Sequence, residues 1–242
     1  MVLRPQDHQH SQSEMIRHHS LEFSAASSAL EMALWDILGK LLNAPLCDLL
    51  GGDHNGAIPI HENIRSATQW DVASLETRAT DLVAKGYRAI KNHPMLNHTA
   101  QDAANCVNQV RAAIGGDIAL LVDLDAQGNA NAAIQIAQAI EPAHVYWFEE
   151  PIDGNDIQAL AQICKDTGLR GVTGEKHCCL AHFRAVLAAG AADILNPDIA
   201  AVGGILDLLE LAELAKPQGV QISPHCWNSM TVAAAAMLHV CS

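Results

Sequence analysis

Positive charge is scarce in this chain: 14 Lys and Arg stand against 27 Asp and Glu, a formal net charge of -13 over 242 residues. Nucleic-acid binding relies on clustered Lys and Arg against phosphates, so the balance argues against that class of partner. Long apolar runs are missing too. Stretches such as VAAAAM, 232–237, are far too short to span a bilayer, and the polar, His-rich opening MVLRPQDHQHSQ has no apolar core for a signal peptide. A soluble, cytoplasmic protein without a membrane partner is expected. The seven Cys are odd in number and lack disulfide-framework or zinc-like spacing, so they read as reduced thiols. No Gly-rich dinucleotide fingerprint follows any strand-like run.

What is present is a rhythm. Half of the residues are hydrophobic, enough for a sizeable core. From Ile58 onward, short runs rich in Val, Ile, Leu and aromatics alternate with longer Ala-rich stretches of helical period, the pattern of βα units around a parallel sheet. Strands are expected over 57–62, 87–92, 118–124, 144–149, 170–175, 193–198 and 220–225. Helices are expected over 74–86, 130–140, 181–190 and 204–216, among others. Repeated units at this spacing predict an α/β fold, a (β/α)8 TIM-type barrel that is incomplete at about seven strands, with a doubly wound sheet as the alternative.

The stretch VYWFEEP, 145–151, runs an apolar strand straight into two carboxylates. Asp123, Glu149, Glu175, Asp198 and His225 all fall at or just past the C-terminal end of a different expected strand, the face on which barrels build active sites. The intervals 149 − 123 and 175 − 149 are both 26, so three carboxylates recur once per βα unit and are expected to converge. Carboxylate oxygens without interspersed Cys favour a hard divalent cation, most simply Mg²⁺. Glu149 is then the middle metal ligand, Glu150 a substrate contact or outer support, and Pro151 the end of the strand.

With these residues placed, the set VD (122–123), FEEP (148–151), GE (174–175), NPD (196–198) followed by GG (203–204), and SPH (223–225) resembles the enolase superfamily, mandelate racemase subgroup, and among its members the acid-sugar dehydratases. SALEMALWDILGKLLNAPLCDLLGG, 28–52, resembles the helical end of that family's N-terminal capping domain, and the likeness runs from about Ser24 to the C-terminus. The resemblance implies a polar tail over 1–20, a capping-domain remnant over 21–56 and a barrel over 57–242, truncated near strand eight. It also implies Asp123, Glu149 and Glu175 as Mg²⁺ ligands and His225 as a general base oriented by Asp198. Lys91 matches the first lysine of the family's Lys-x-Lys motif, and His93 stands where the second is usual.

The implied chemistry is removal of the proton α to a carboxylate, followed by loss of a β-hydroxyl as water, turning an aldonic or aldaric acid into a 2-keto-3-deoxy acid. Racemisation, epimerisation or cycloisomerisation through the same enolate is the second reading, and a truncated, inactive barrel that keeps its metal ligands is the third. A small-molecule sugar acid is the expected partner, and a homo-oligomer is implied for an intact chain. An amidohydrolase fits poorly, since His61-Glu62-Asn63 lacks a paired-His metal motif. His177 and Trp227 are further substrate-contact candidates, while Lys176, Cys178 and Cys179 lie beside Glu175. His8, His10, His18 and His19 read as a solvated tail, and Glu31, Trp35 and Asp36 as packing and interdomain junction.

Overall fold

The computed structural model describes residues 20–52, 56–65, 71–94, 99–226 and 230–242. In chain order the elements are α1 (Leu21–Leu42), α2 (Leu46–Leu50), β1 (Glu62–Ile64), α3 (Val72–Ala84), β2 (Ala89–Asn92), α4 (Ala100–Ile114) and β3 (Ala119–Asp123). They continue with α5 (Ala130–Ala139), β4 (Trp147–Glu149), α6 (Ile157–Thr167), β5 (Gly171–Thr173) and α7 (Leu180–Ala189). The last are β6 (Ile194–Leu195), α8 (Ile205–Ala215), β7 (Gln221–Ile222) and α9 (Met230–Cys241). Among the described residues, seven parallel strands alternating with helices are the α/β class that the sequence rhythm implies. The chain divides into two compact units, 59–173 with 189–193, and 1–58 with 174–188 and 194–242.

In the first unit, β1 to β5 pair in chain order, every pair parallel. Parallel strands covered on both faces need apolar side chains at successive positions. Accordingly Ile90, Leu120, Leu121, Val122, Trp147, Phe148 and Val172 are all buried, and β3 and β4 turn polar only at their last residues, Asp123 and Glu149. The helices begin where side chains can satisfy their free amides. Asp71, Asn129 and Asp156 accept from the third amide of α3, α5 and α6, and Thr99 with Asp102 forms a capping box on α4. Leu75, Ala79 and Leu82 on α3, and Ala103, Val107, Val110 and Ile114 on α4, supply the buried faces at helical spacing.

The first strand corrects the expectation over 57–62: β1 is Glu62–Ile64 and shares only Glu62 with that run. Pro59 has no N–H to give a ladder, and pairing with β2 starts at Glu62 opposite Ile90. The other six strands lie inside the expected runs but are shorter. The run HVYWFE starts late because His144 takes a left-handed φ of 44° at the end of a 3-10 turn, so β4 begins at Trp147.

In the second unit, β6 and β7 pair in parallel, Ile194 opposite Gln221 and Leu195 opposite Ile222. The helix α1 is capped by the Ser20 hydroxyl and ends on Asn43 in the left-handed region. Its buried residues include Ser24, Ser28 and Glu31 beside Met32 and Trp35, an unusually polar face to hide. Among the described residues, no helix is long and apolar enough to cross a membrane.

Candidate active site

The first unit gathers one set of the residues singled out by sequence. Asp123 and Glu149 are the last residues of β3 and β4 and stand opposite one another in the ladder. Each is about 1% exposed. Lys91, from β2, places its ammonium 2.8 Å from Glu149 Oε1 and 3.1 Å from Asp123 Oδ2. Burial works against the charged Lys91, but attraction to Glu149 and then Asp123 outweighs it and leaves the ammonium above the ordinary lysine range. His93, also buried, has Nδ1 3.3 Å from Asp123 Oδ2 and 3.5 Å from Asp125 Oδ2. Glu150, buried next to Glu149, adopts a positive φ of 39° as the chain leaves β4, and its carboxylate accepts from the Thr173 hydroxyl at 2.7 Å. Its amide donates to Val172 O, so both ends of Glu150 are fixed to β5.

Two members of this group carry no prior assignment. Arg65, one residue past β1, donates from Nη2 to Asp125 Oδ1 at 2.9 Å and lies 3.1 Å from His93 Nδ1. Burial raises Asp125, yet its hydrogen bond and charge contact with His93, and then Arg65, hold the carboxyl below its usual range. Spacing was the available signal for Asp125, since residues two apart leave a strand on the same side, as Lys91 and His93 do. Nothing local marks Arg65.

The second unit gathers the other set. Asp198 and His225 form an isolated parallel bridge beyond β6 and β7, with His225 Nδ1 2.9 Å from Asp198 Oδ2. Backbone bonds fix both: His225 N–H donates to Pro197 O, and Asp198 Oδ1 accepts from the amide of Ala200. Glu175, two residues past β5, lies 3.1 Å from His225 Nε2 through Oε2, and Lys176 stands 3.8 Å from its Oε1. His177 is buried edge-on against Phe183, with ring centroids 5.3 Å apart, and 5.5 Å from His182. Trp227 lies outside the described residues, as do the N-terminal histidines.

The donor chemistry suits a hard cation. Asp123 and Glu149 offer buried carboxylate oxygens from adjacent strand ends, and a positive charge, that of Lys91, already sits against both.

Parallel βα units ending in carboxylates, with a His-Asp pair after β6 and β7, define a barrel-type α/β fold with carboxylates and a histidine gathered at its strand ends. The chain belongs to the mandelate racemase and muconate lactonizing enzyme group of the enolase superfamily: residues 74–242 match the family described as enolase C-terminal domain-like, and residues 2–51 match its N-terminal domain. That match begins well ahead of Ser24, where the motifs first show the likeness. The D-gluconate dehydratase of Thermoproteus tenax is 32% identical over 213 residues, covering 85% of this chain and 43% of that protein. The structure of an enolase from Sargasso Sea environmental sequencing has a TM-score of 0.93 and 38% identity, over 99% of this chain and 64% of its own. A racemase from Streptomyces coelicolor A3(2), solved with bound magnesium, has a TM-score of 0.80 and 28% identity, over 87% of this chain and 58% of its own. The chain therefore spans between 43% and 64% of the length of these relatives.

Proposed function

We propose that this chain carries the catalytic part of an Mg²⁺-dependent acid-sugar dehydratase. The observation that carries the reading is the His225–Asp198 pair, held by backbone bonds at the ends of neighbouring strands. In this reading Asp198 accepts the Nδ1 proton and His225 presents Nε2 as the base. That nitrogen takes the proton α to the substrate carboxylate, and the C–H electron pair moves into the carboxylate as a developing dianion. Lys91 supplies a fixed ammonium against this charge, and its buried setting makes the charge effective. The β C–O bond then breaks as the protonated His225 returns its proton to the leaving hydroxyl, water departs, and the enol tautomerises to a 2-keto-3-deoxy acid.

Asp123, Glu149 and Glu175 are the residues assigned to the cation, supported by their 26-residue recurrence at three successive strand ends and by the first two standing buried and in register. Mg²⁺, when bound, draws charge from the substrate carboxylate and so acidifies the α-proton. His93 is assigned with Lys91 to the catalytic groups, and Glu150, His177 and Trp227 are the assigned substrate contacts. The domain division proposed with it sets capping-domain helices over 21–56 ahead of the barrel over 57–242.

The test is Mg²⁺ titration calorimetry with an Asp123→Asn control, alongside a keto-acid assay over aldonic and aldaric acids in deuterated water. Saturable binding abolished by the substitution, with keto-acid formation, supports the dehydratase. Deuterium entry at the α-carbon without loss of water points instead to racemisation, and binding without either reaction to an inactive barrel.

A further inference from the structure

Three residues of α1 point a buried polar stripe at the loops that carry the second set of site residues. Ser24, Ser28 and Glu31 are spaced i, i+4 and i+7 and so share one helix face, with 8%, 0% and 1% exposure. Polar groups hidden this well destabilise a fold unless their bonds are made, and here they are. Ser24 Oγ donates to Cys178 O, in the loop that follows Glu175. Ser28 Oγ donates to Ser24 O and accepts from Gly203 N–H at 3.0 Å. Glu31 Oε2 accepts from Ile205 N–H at 2.9 Å, and Oε1 accepts from Leu206 N–H at 3.3 Å and from Trp35 Nε1 at 2.7 Å.

Glu31 thus caps α8 from another element. The residue in the cap position is Gly204, which has no side chain to do so. Gly204 also lets Glu31 in: a Cβ there would lie 2.3 Å from Glu31 Oε2, and the φ of 107° already disfavours other residues. From Gly203 the bonding continues back to Asp198, whose carbonyl accepts from Ala201 and Val202 and whose Oδ1 accepts from Ala200. The remaining oxygen, Oδ2, meets His225. One short stretch of chain, 198–206, therefore carries the Glu31 contacts at one end and the carboxylate that orients the base at the other.

We propose that Ser24, Ser28 and Glu31 of α1 are positioning residues that set the loops after Glu175 and Asp198, and through them the geometry of the His225–Asp198 pair. The proposal rests on the reading of that pair as the base. It gives α1 a part in catalysis without contact with substrate.

The experiment compares the full chain with Glu31→Gln, which keeps one acceptor oxygen but turns an NH2 toward backbone donors, and with Leu30→Ala on the exposed side of the same helix. Amide exchange is followed at Gly203, Ile205 and Leu206, and the imidazole Nδ1 proton of His225 by NMR. Glu31→Gln is expected to speed exchange at Ile205 and Leu206 by about tenfold or more. The His225 Nδ1 signal should shift or broaden, and kcat should fall about 10- to 100-fold with KM within about threefold. Leu30→Ala should leave all of these unchanged. Faster exchange and a lower unfolding midpoint, with the His225 signal and kcat as in the parent, would reduce Glu31 to a structural cap and overturn the proposal. Should Glu31→Gln not fold, Ser28→Ala removes the Gly203 acceptor and is read the same way. Absence of turnover by the parent chain defeats the dehydratase reading alone, because the amide and imidazole signals do not depend on turnover.

Discussion

Replacing Lys91 with Met tests how this chain tolerates two buried acids side by side. Asp123 and Glu149 are each about 1% exposed and stand opposite one another in the ladder, and the Lys91 ammonium lies 2.8 Å from one and 3.1 Å from the other. Lys91→Met keeps much of the side-chain volume and removes the charge. Breaking a buried ion pair by deleting one partner costs about 3–5 kcal/mol, because the remaining charge is left without compensation. Against a typical total stability of about 5–15 kcal/mol, that is a large fraction. Urea unfolding near neutral pH, with chelator and then with Mg²⁺, is the assay. Lys91 itself adds no pH dependence there: its raised value means that its contribution is intact below the ordinary lysine range and is lost only as the pH rises through the elevated one. In the variant, the two carboxylates are forced to share their charge and at least one binds its proton more tightly than in the unfolded chain, so stability should rise as the pH is lowered. Mg²⁺ at about 100 times its Kd should restore about 2.7 kcal/mol. At one fixed Mg²⁺ concentration it should restore more in the variant than in the parent, where Lys91 competes for the same oxygens and weakens binding. A loss below about 1 kcal/mol in chelator, the level of a surface ion pair, would refute the view that Lys91 compensates these acids. No gain from Mg²⁺ in either protein would remove the cation assignment.

Two further substitutions probe the surrounding framework. Gly204→Ala should destabilise by roughly 2–4 kcal/mol, combining left-handed strain with displacement of Glu31, and its unfolding midpoint in urea gives the value. A stability within about 0.5 kcal/mol of the parent would show that the α1–α8 contact yields easily. The Cys164 thiol is pushed up to about 11 by burial and then by Asp193, so the folded chain keeps a proton that the unfolded chain releases. Its contribution to stability should therefore decline as the pH rises from about 9 toward 11. Cys164→Ala should remove that part of the decline, and a parallel pH profile for the two proteins would contradict the assignment. Below that range Cys164 should react with iodoacetamide far more slowly than the exposed Cys226, as peptide mapping of the labelled chain would show.

Asp123 and Glu149 were legible in the sequence for a physical reason: parallel strands buried on both faces tolerate charge best where they end, so an acid after a run such as ALLV or WF marks the strand terminus. The same logic fails where the run is not a strand. AIPIHE alternates as a strand should, yet Pro59 has no amide to pair, and the ladder waits until Glu62. Partners that depend on tertiary approach are harder still. Arg65 meets Asp125 across 60 residues, with no local pattern to announce it. Glu31 is an intermediate case. Read alone, it is a charge on the inward face of a helix, which signals that something must compensate it, and packing at a junction is a reasonable guess. Its partners are the amides of Ile205 and Leu206, 174 and 175 residues away. The two glycines at 203 and 204 were visible as part of a motif, but their reason was not. Gly204 is free of a side chain because a carboxylate from α1 occupies the space that a Cβ would take. A buried acid in one segment and a glycine pair in another are thus two halves of one contact. Each segment shows an irregularity, and only their approach in the folded chain shows that the irregularities fit one another.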